Sequence, residues 1–398
     1  MFQSVKTVTY QVSDIEKAKD WYCKILNKEP AFNSPFAVIF VIDDSVLMLA
    51  PTSNPLSGSD ERIVAYWGVE NIDVVYQKLL ELGATPHTEI NTVADTKSAK
   101  VVDPFGNILG ITSKVLAAKD RSVENQPSET ANGVTFCRAL AARDEREEFR
   151  GPDYLAEIFL TEDGKRPLKD RASREWVINN LITPERYGYL IARTAYIDDI
   201  FKQSLRENIP QIVFLGAGYD TRSYRLKELI KETRIFELDI QTTQQRKKEK
   251  LNQSNISIPE QLTFVSINFK SDVLEKVLFK AGFDKNKKAL FIWEGVMYYL
   301  PAEAVNNTLK FVKLNSPVGS TICFDYLTAE RQSVNAGEPF LFWIEEERIE
   351  SFLSERGYKI MERLTSKDME SKYLSVRNGS VVGKVIPHFS FVHASVLE

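Results

Sequence analysis

Cysteine and histidine are both scarce in this chain. Cys23, Cys137 and Cys323 are the only cysteines and His87, His388 and His393 the only histidines in 398 residues. Three cysteines so far apart give neither a disulfide framework nor a zinc spacing, so a reducing compartment is expected. No apolar run reaches the roughly 18 residues of a membrane helix, and no helical span is expected. Positive charge is in slight deficit: 51 Lys and Arg face 55 Asp and Glu, a formal net charge of −4. That balance argues against a nucleic-acid backbone as the main partner. The opening stretch MFQSVKTVTYQVSD alternates like a strand, unlike a secretory signal. A cytoplasmic protein is the reading. Hydrophobic residues at 43% and charged residues at 27% describe a globular chain. Its length suits two domains.

The division falls at residues 116–132, LAAKDRSVENQPSETAN, a mostly polar stretch without hydrophobic period that reads as a linker. Before it, residues 1–115 repeat themselves. Val8, Tyr10 and Val12 alternate on one strand face. Asp14 then caps a helix striped by Ile15, Ala18, Tyr22 and Ile25. Two strands follow, FAVIFVI and SVLMLA, around an Asp43-Asp44 turn. The second copy runs from IVAYWGV through the helix IDVVYQKLLELG, closed by Gly83, to SAKVVD and NILGITS around the turn Asp103 to Asn107. The pattern is βαβββ twice.

On VSDIEKAKDWYCKIL and VVDPFGNILGI, this half resembles the vicinal-oxygen-chelate superfamily, the glyoxalase and bleomycin-resistance fold. The resemblance implies a cupped sheet and, in the family's enzymes, a divalent metal held by His, Gln or Glu. Here the three corresponding positions carry Thr7, Val64 and Gly110. They make a poor ligand set, so no metal is expected. His87, in TPHTE, reads as a loop residue. The half is expected to bind a small molecule or a partner, with substrate capture or homodimerisation as its role.

From about residue 210 strands and helices alternate, the mark of a parallel sheet covered on both faces. The strands are QIVFLGA, IFELDI, LTFVSINF, ALFIWEGV and VGSTICFDYL, with RLKELIKE read as a helix after the first. IESFLSERGYKIMER adds a helix–Gly–strand unit. Gly216 and Gly218 follow the first strand, at the edge where open α/β sheets bind ligands. A dinucleotide fingerprint would place a third glycine where Thr221 stands. Asp239 ends the second strand, 23 residues after Gly216, near the spacing at which a carboxylate meets ribose hydroxyls. A bare turn, a ribose carboxylate and no pyrophosphate cradle suit a nucleoside cofactor without phosphates. S-adenosyl-L-methionine, leaving as S-adenosyl-L-homocysteine, is the candidate.

Five ordered stretches sharpen this: ALAARDEREEFRGPDYLAEIFL, ARTAYIDDIF, VFLGAGYDTRSYRL, FELDIQTTQQRKKEKL and LFIWEGVMYYLPAEAV. With them, residues 136–375 resemble the leucine carboxyl methyltransferase family. The resemblance implies a Rossmann-like methyltransferase domain over 133–398, with a helical cap near 136–205 and the core near 206–398. It implies Arg193 on the cofactor's carboxylate and Gly216 against its methionine portion, with Ala217 and Gly218 completing the turn. Asp239 would take the ribose, Asn268 and Phe269 the adenine, and Glu294 the sulfonium and amino end. Tyr299 would orient the acceptor. Asp220, Arg222 and Arg225 read as a structural charge network.

The expected reaction is methyl transfer to an oxygen of a small molecule. An acceptor carboxylate requires no base, whereas a hydroxyl does. His388 and His393 are expected in a C-terminal strand, five apart and so on opposite faces, and neither is an evident base. A carboxylate is therefore favoured. Phe340, Phe342 and Trp343, in the segment 335–347, are candidates for a lid. Two other functions fit the sequence: a sequestering protein whose second half is vestigial, and a metal-dependent lyase or dioxygenase in the first half.

Overall fold

The structure, a computed structural model, describes residues 4–398 apart from 13, 27, 43–44, 52–62, 70, 94–95, 103–107, 115–127, 270, 332–338 and 377. The Asp43-Asp44 turn, the turn from Asp103 to Asn107, the expected linker up to residue 127 and the start of the 335–347 segment lie outside the described residues. Two compact units are present, Met1–Arg121 and Ser122–Glu398.

The first unit runs β1 (Ser4–Val12), α1 (Ile15–Leu26), β2 (Phe32–Ser34), β3 (Ala37–Ile42) and β4 (Ser45–Pro51). It then repeats as β5 (Ile63–Gly68), α2 (Ile72–Glu81), β6 (Thr85–Val93), β7 (Thr96–Val102) and β8 (Ile108–Lys114). Eight strands form one sheet in the order β2-β3-β4-β1-β5-β8-β7-β6. Each helix starts on a side-chain cap: Asp14 accepts from the Lys17 amide at 3.1 Å and Asn71 from the Val74 amide at 3.1 Å. Ile15, Ala18 and Tyr22 pack on Val38, Phe40, Leu47 and Leu49, while Ile72, Val75 and Tyr76 pack on Ala99, Val101 and Ile111. Fully burying one such side chain contributes roughly 1.5–3 kcal/mol.

The opposite sheet face carries Thr7, Val64 and Gly110, the positions that correspond to the metal ligands of the superfamily's enzymes. Thr7 pairs with Tyr66, Thr9 with Val64, and Tyr66 with Gly110, so these residues share a face. Val64 is buried. A Cβ at Gly110 would lie 2.7 Å from the Tyr66 ring, so that position accepts no larger side chain as it stands. These residues do not fit a metal site. His87 lies within β6 rather than in a loop, exposed where the β6–β7 register shifts. That irregularity follows Pro86, which has no N–H for a ladder.

The second unit opens with helices α3 (Glu129–Ala142), α4 (Glu162–Lys165), α5 (Arg171–Val177) and α6 (Pro184–Arg206). Ser128 caps α3 by accepting from the Ala131 amide at 3.0 Å, so the last residues of the 116–132 stretch are helix. The core follows as β9 (Gln211–Leu215), α7 (Arg222–Arg225), β10 (Arg234–Asp239), α8 (Gln241–Gln253), β11 (Leu262–Ser266) and α9 (Leu274–Lys280). It continues with β12 (Ala289–Trp293), α10 (Ala302–Leu314), β13 (Thr321–Leu327), α11 (Ile349–Ser354), β14 (Tyr358–Leu364), α12 (Ser366–Tyr373) and β15 (Phe389–Val396). The sheet order is β11-β10-β9-β12-β13-β15-β14. β9 to β13 are parallel, and β15 enters antiparallel between β13 and β14. β9 and β12 are buried along their whole length, as strands covered on both faces must be.

Three expectations change. RLKELIKE is not one helix but the end of α7 and a single turn, Lys227–Leu229. Its second half buries only Ile230, too little apolar surface to hold more turns. The third strand stops at Ser266, where the Asn268 amide turns toward Asp272 at 2.8 Å. His388 precedes β15, exposed at φ +70°, and only His393 is in the strand, opposite Cys323 and Glu362.

Candidate functional site

Strand order reverses between β9 and β12, and a crevice opens beyond their carboxyl ends. Its geometry begins with the bare turn. The Gly216 and Ala217 amides both donate to the Leu238 carbonyl, at 2.9 and 2.7 Å. Gly216 sits at φ +82° and Gly218 at φ +48°, conformations that disfavour any side chain. A Cβ at Gly216 would lie 2.5 Å from Val296 Cγ2. The Gly218 amide donates to Asp239 Oδ2 at 2.6 Å, and the Ile240 amide to Oδ1 at 2.7 Å. Asp239 therefore ties the turn after β9 to the end of β10.

Across the crevice, Glu294 follows β12. Its Oε1 accepts from Arg193 Nε at 3.0 Å and its Oε2 from Arg222 Nη1 at 2.8 Å. Burial opposes the Arg193 charge, but Tyr189, Asp325 and Glu294 around it outweigh burial and raise the guanidinium further above its ordinary value. Arg222 is fully buried and also binds Asp198 at 2.7 Å and Asp220. Arg225 joins Asp198 at 3.0 Å, and Arg138 reaches Asp153 at 3.1 Å. Asp220, Arg222 and Arg225 thus form a buried network beneath the crevice. Thr221, in place of a third glycine, donates to Asp153 at 2.6 Å within it.

A cleft of about 1380 Å³, its open mouth included, collects these elements. Arg193, Gly216, Ala217, Gly218, Asp239, Asn268, Phe269, Glu294 and Tyr299 all line it. Val134 and Arg138 of α3 form one wall. Val296, Leu300, Pro339 and Leu341 accompany Tyr299 beside Glu294.

Residues 131–313 match the leucine carboxyl methyltransferase family and residues 4–111 the glyoxalase/bleomycin resistance protein/dioxygenase superfamily. The "Putative S-adenosyl-L-methionine-dependent methyltransferase YktD" of Bacillus subtilis is 31% identical over 235 residues, 55% of this chain and 75% of that protein. A relative of the same description from Streptomyces coelicolor is 31% identical over 204 residues, 49% of this chain and 68% of its own. The chain belongs to the leucine carboxyl methyltransferase family. It is an S-adenosyl-L-methionine-dependent methyltransferase that carries an N-terminal glyoxalase-type domain. A solved structure with likeness to it is magnesium protoporphyrin IX methyltransferase from Synechocystis, 10% identical over 56% of this chain and 92% of that one, TM-score 0.36.

The three lid candidates of this methyltransferase separate. Phe340 stands behind the cleft, 5.2 Å from Tyr298 and 5.3 Å from Tyr299 between ring centroids. Phe342 packs on Phe352, and Trp343 is 39% exposed. The lining residues are their neighbours Pro339 and Leu341, and the Leu341 and Phe342 amides both turn to the Tyr298 carbonyl, at 2.7 and 3.3 Å. The buried Tyr298 supports Tyr299 rather than lining the cleft. Val134, Tyr219 and Val296 also line it, with Arg138 from the cap and Leu341 from the 335–347 segment, residues that sequence reasoning did not single out. Tyr219 lies in VFLGAGYDTRSYRL and Val296 in LFIWEGVMYYLPAEAV, so both stand within stretches that carried a signal.

Proposed function

We propose that this protein methylates the carboxylate of a small, largely apolar acid, held beside Tyr299. The carrying observation is the missing base. Among the described residues no His, Lys or Cys lines the cleft. Each carboxylate that does so has a partner: Glu294 holds Arg193 and Arg222, Asp220 holds Arg222, and Asp239 holds the Gly218 amide. Among the described residues a phenol or alcohol would find no ready proton acceptor, whereas a carboxylate is already ionised at neutral pH.

The cleft suits S-adenosyl-L-methionine on its own chemistry. The bare turn at Gly216 admits close approach, Asp239 offers acceptors for a diol, and Arg193 and Glu294 offer opposite charges for an amino acid. Asn268 and Phe269 supply an amide and a ring face for a purine. When bound, the cofactor supplies an electrophilic methyl group on a sulfonium. The protein's share is placement and exclusion of water: Val296, Leu300, Pro339 and Leu341 make a dry wall, and Tyr299 gives one hydroxyl to orient the acceptor. Within the family, a role for the first unit in acceptor capture or self-association fits a sheet face whose residues suit no metal.

The test is product chemistry. Methyl-labelled cofactor is incubated with a panel of small acids, phenols and amines. Label that alkali releases as methanol is the expected outcome, because esters hydrolyse. An alkali-stable methyl product would replace the carboxylate with another acceptor.

A further inference from the structure

The side chain that organises this cleft does not line it. Asp325, in β13, is fully buried. Its Oδ1 accepts from the Gly295 amide at 2.6 Å. Its Oδ2 accepts from the Tyr189 hydroxyl, from Arg193 Nη1 at 3.1 Å and from the Tyr298 hydroxyl at 3.3 Å. One carboxylate thus fixes the turn after β12, the middle of α6 and the tyrosine turn, Met297–Tyr299. Gly295 is itself at φ +71°, and a Cβ there would lie 3.0 Å from Arg193 Nη1. The Tyr298 carbonyl also accepts from the Leu341 amide at 2.7 Å, which links the same hub to the acceptor wall.

The donors of Arg193 show what this achieves. Nε is taken by Glu294, and Nη1 by Asp325 and the two tyrosines. Nη2 bonds none of the described residues. A guanidinium is rigid and planar, so fixing two of its nitrogens fixes the third. We propose that Asp325 is a positioning residue for methyl transfer: it locks Arg193 by Nη1 so that Nη2 faces the carboxylate of the cofactor's amino-acid end. This rests on the reading that Arg193 receives that carboxylate.

Asparagine at 325 is the informative change. It offers one acceptor oxygen where the carboxylate offers two, so either the Gly295 amide or the Arg193–tyrosine side meets an NH₂ donor. The amino-acid end of the cofactor is zwitterionic, so the lost charge matters less to it than lost position. The experiment is calorimetric titration of wild type, Asp325→Asn and Tyr189→Phe with two ligands. S-adenosylhomocysteine has the amino-acid end and 5′-methylthioadenosine lacks it.

Asp325→Asn is expected to weaken S-adenosylhomocysteine about tenfold or more, the scale of a charged hydrogen bond. Methylthioadenosine affinity is expected to stay as in wild type. Tyr189→Phe is expected to show the same selectivity at about threefold. Thermal melts establish that each variant is folded, and Tyr189→Phe decides the matter should Asp325→Asn not fold. Equal losses for both ligands would mark Asp325 as merely structural and overturn the proposal, as would undiminished S-adenosylhomocysteine affinity in the folded variants. Failure of wild type to bind S-adenosylhomocysteine would instead remove the cofactor reading beneath it.

Discussion

Asp239 offers the most direct test of the cofactor site, because it has two duties of different size. In the free protein it accepts from the Gly218 amide at 2.6 Å and the Ile240 amide at 2.7 Å. Alanine at 239 removes both bonds. The site is only half-buried, so water can take over part of the lost bonding, and the cost should be about 1–2 kcal/mol. In a unit of this size that lowers the melting temperature by roughly 2–8 °C. In the complex the same carboxylate is proposed to accept from the two ribose hydroxyls. Hydrogen bonds to a charged group contribute about 1.5–3 kcal/mol each, so the pair contributes about 3–6 kcal/mol. At 1.4 kcal/mol per decade, Asp239→Ala should weaken S-adenosylhomocysteine by about 10²–10⁴-fold. Asp239→Asn keeps one acceptor and no charge, and should fall between. Calorimetric titration measures the affinities and a thermal melt the stability. Affinity within about threefold of wild type in a folded Asp239→Ala protein would be a loss below about 0.7 kcal/mol. That result would refute the ribose assignment, whatever happened to the melt.

The other expectations concern packing and charge. Gly188→Ala should destabilise the second unit by about 1–3 kcal/mol in urea titrations, because the new Cβ would meet the Lys384 carbonyl oxygen at 2.2 Å; an unchanged midpoint would show that the 381–386 segment is loosely held. Arg222→Met should cost about 3–5 kcal/mol, since it strips Asp198, Asp220 and Glu294 of a shared buried counter-charge; a fully stable variant would mean that the network is dispensable. The pH expectation isolates His393. Burial, outweighing the pull of Glu362 and Glu207, lowers its proton affinity below the ordinary value of 6.5. The folded state therefore binds that proton less well than the unfolded one, and the stability it contributes is full above pH 6.5 and lost as pH falls. Wild type minus His393→Gln stability should decline from pH 7 to 5, and a rise on acidification would reverse the sign.

Much of this was legible in the chain itself, for local reasons. The two βαβββ copies follow from period-two and period-3.6 hydrophobicity, with Asp14 as a helix cap; the matching cap at Asn71 is added by the structure. The bare Gly216-Ala217-Gly218 turn and the carboxylate at 239 follow from a parallel sheet, where residues just past strand ends gather at one edge. Local pattern misled where a segment lacked anything to bury. RLKELIKE has helix formers but only Ile230 inside, and His87 sits in a strand whose pairing slips beside Pro86.

What the tertiary structure decided is which distant groups share a charge. Asp325 is one carboxylate in the strand TICFDYL, and its isolation among apolar residues was the only hint of a role. Its four partners come from α6, the turn after β12 and the tyrosine turn, up to 136 residues away in sequence. Likewise Phe340 and Leu341 are neighbours in the chain, yet only Leu341 lines the cleft. Periodicity reports which face of one element is buried. It carries no information about which elements meet there, because that depends on packing between segments that local sequence does not encode.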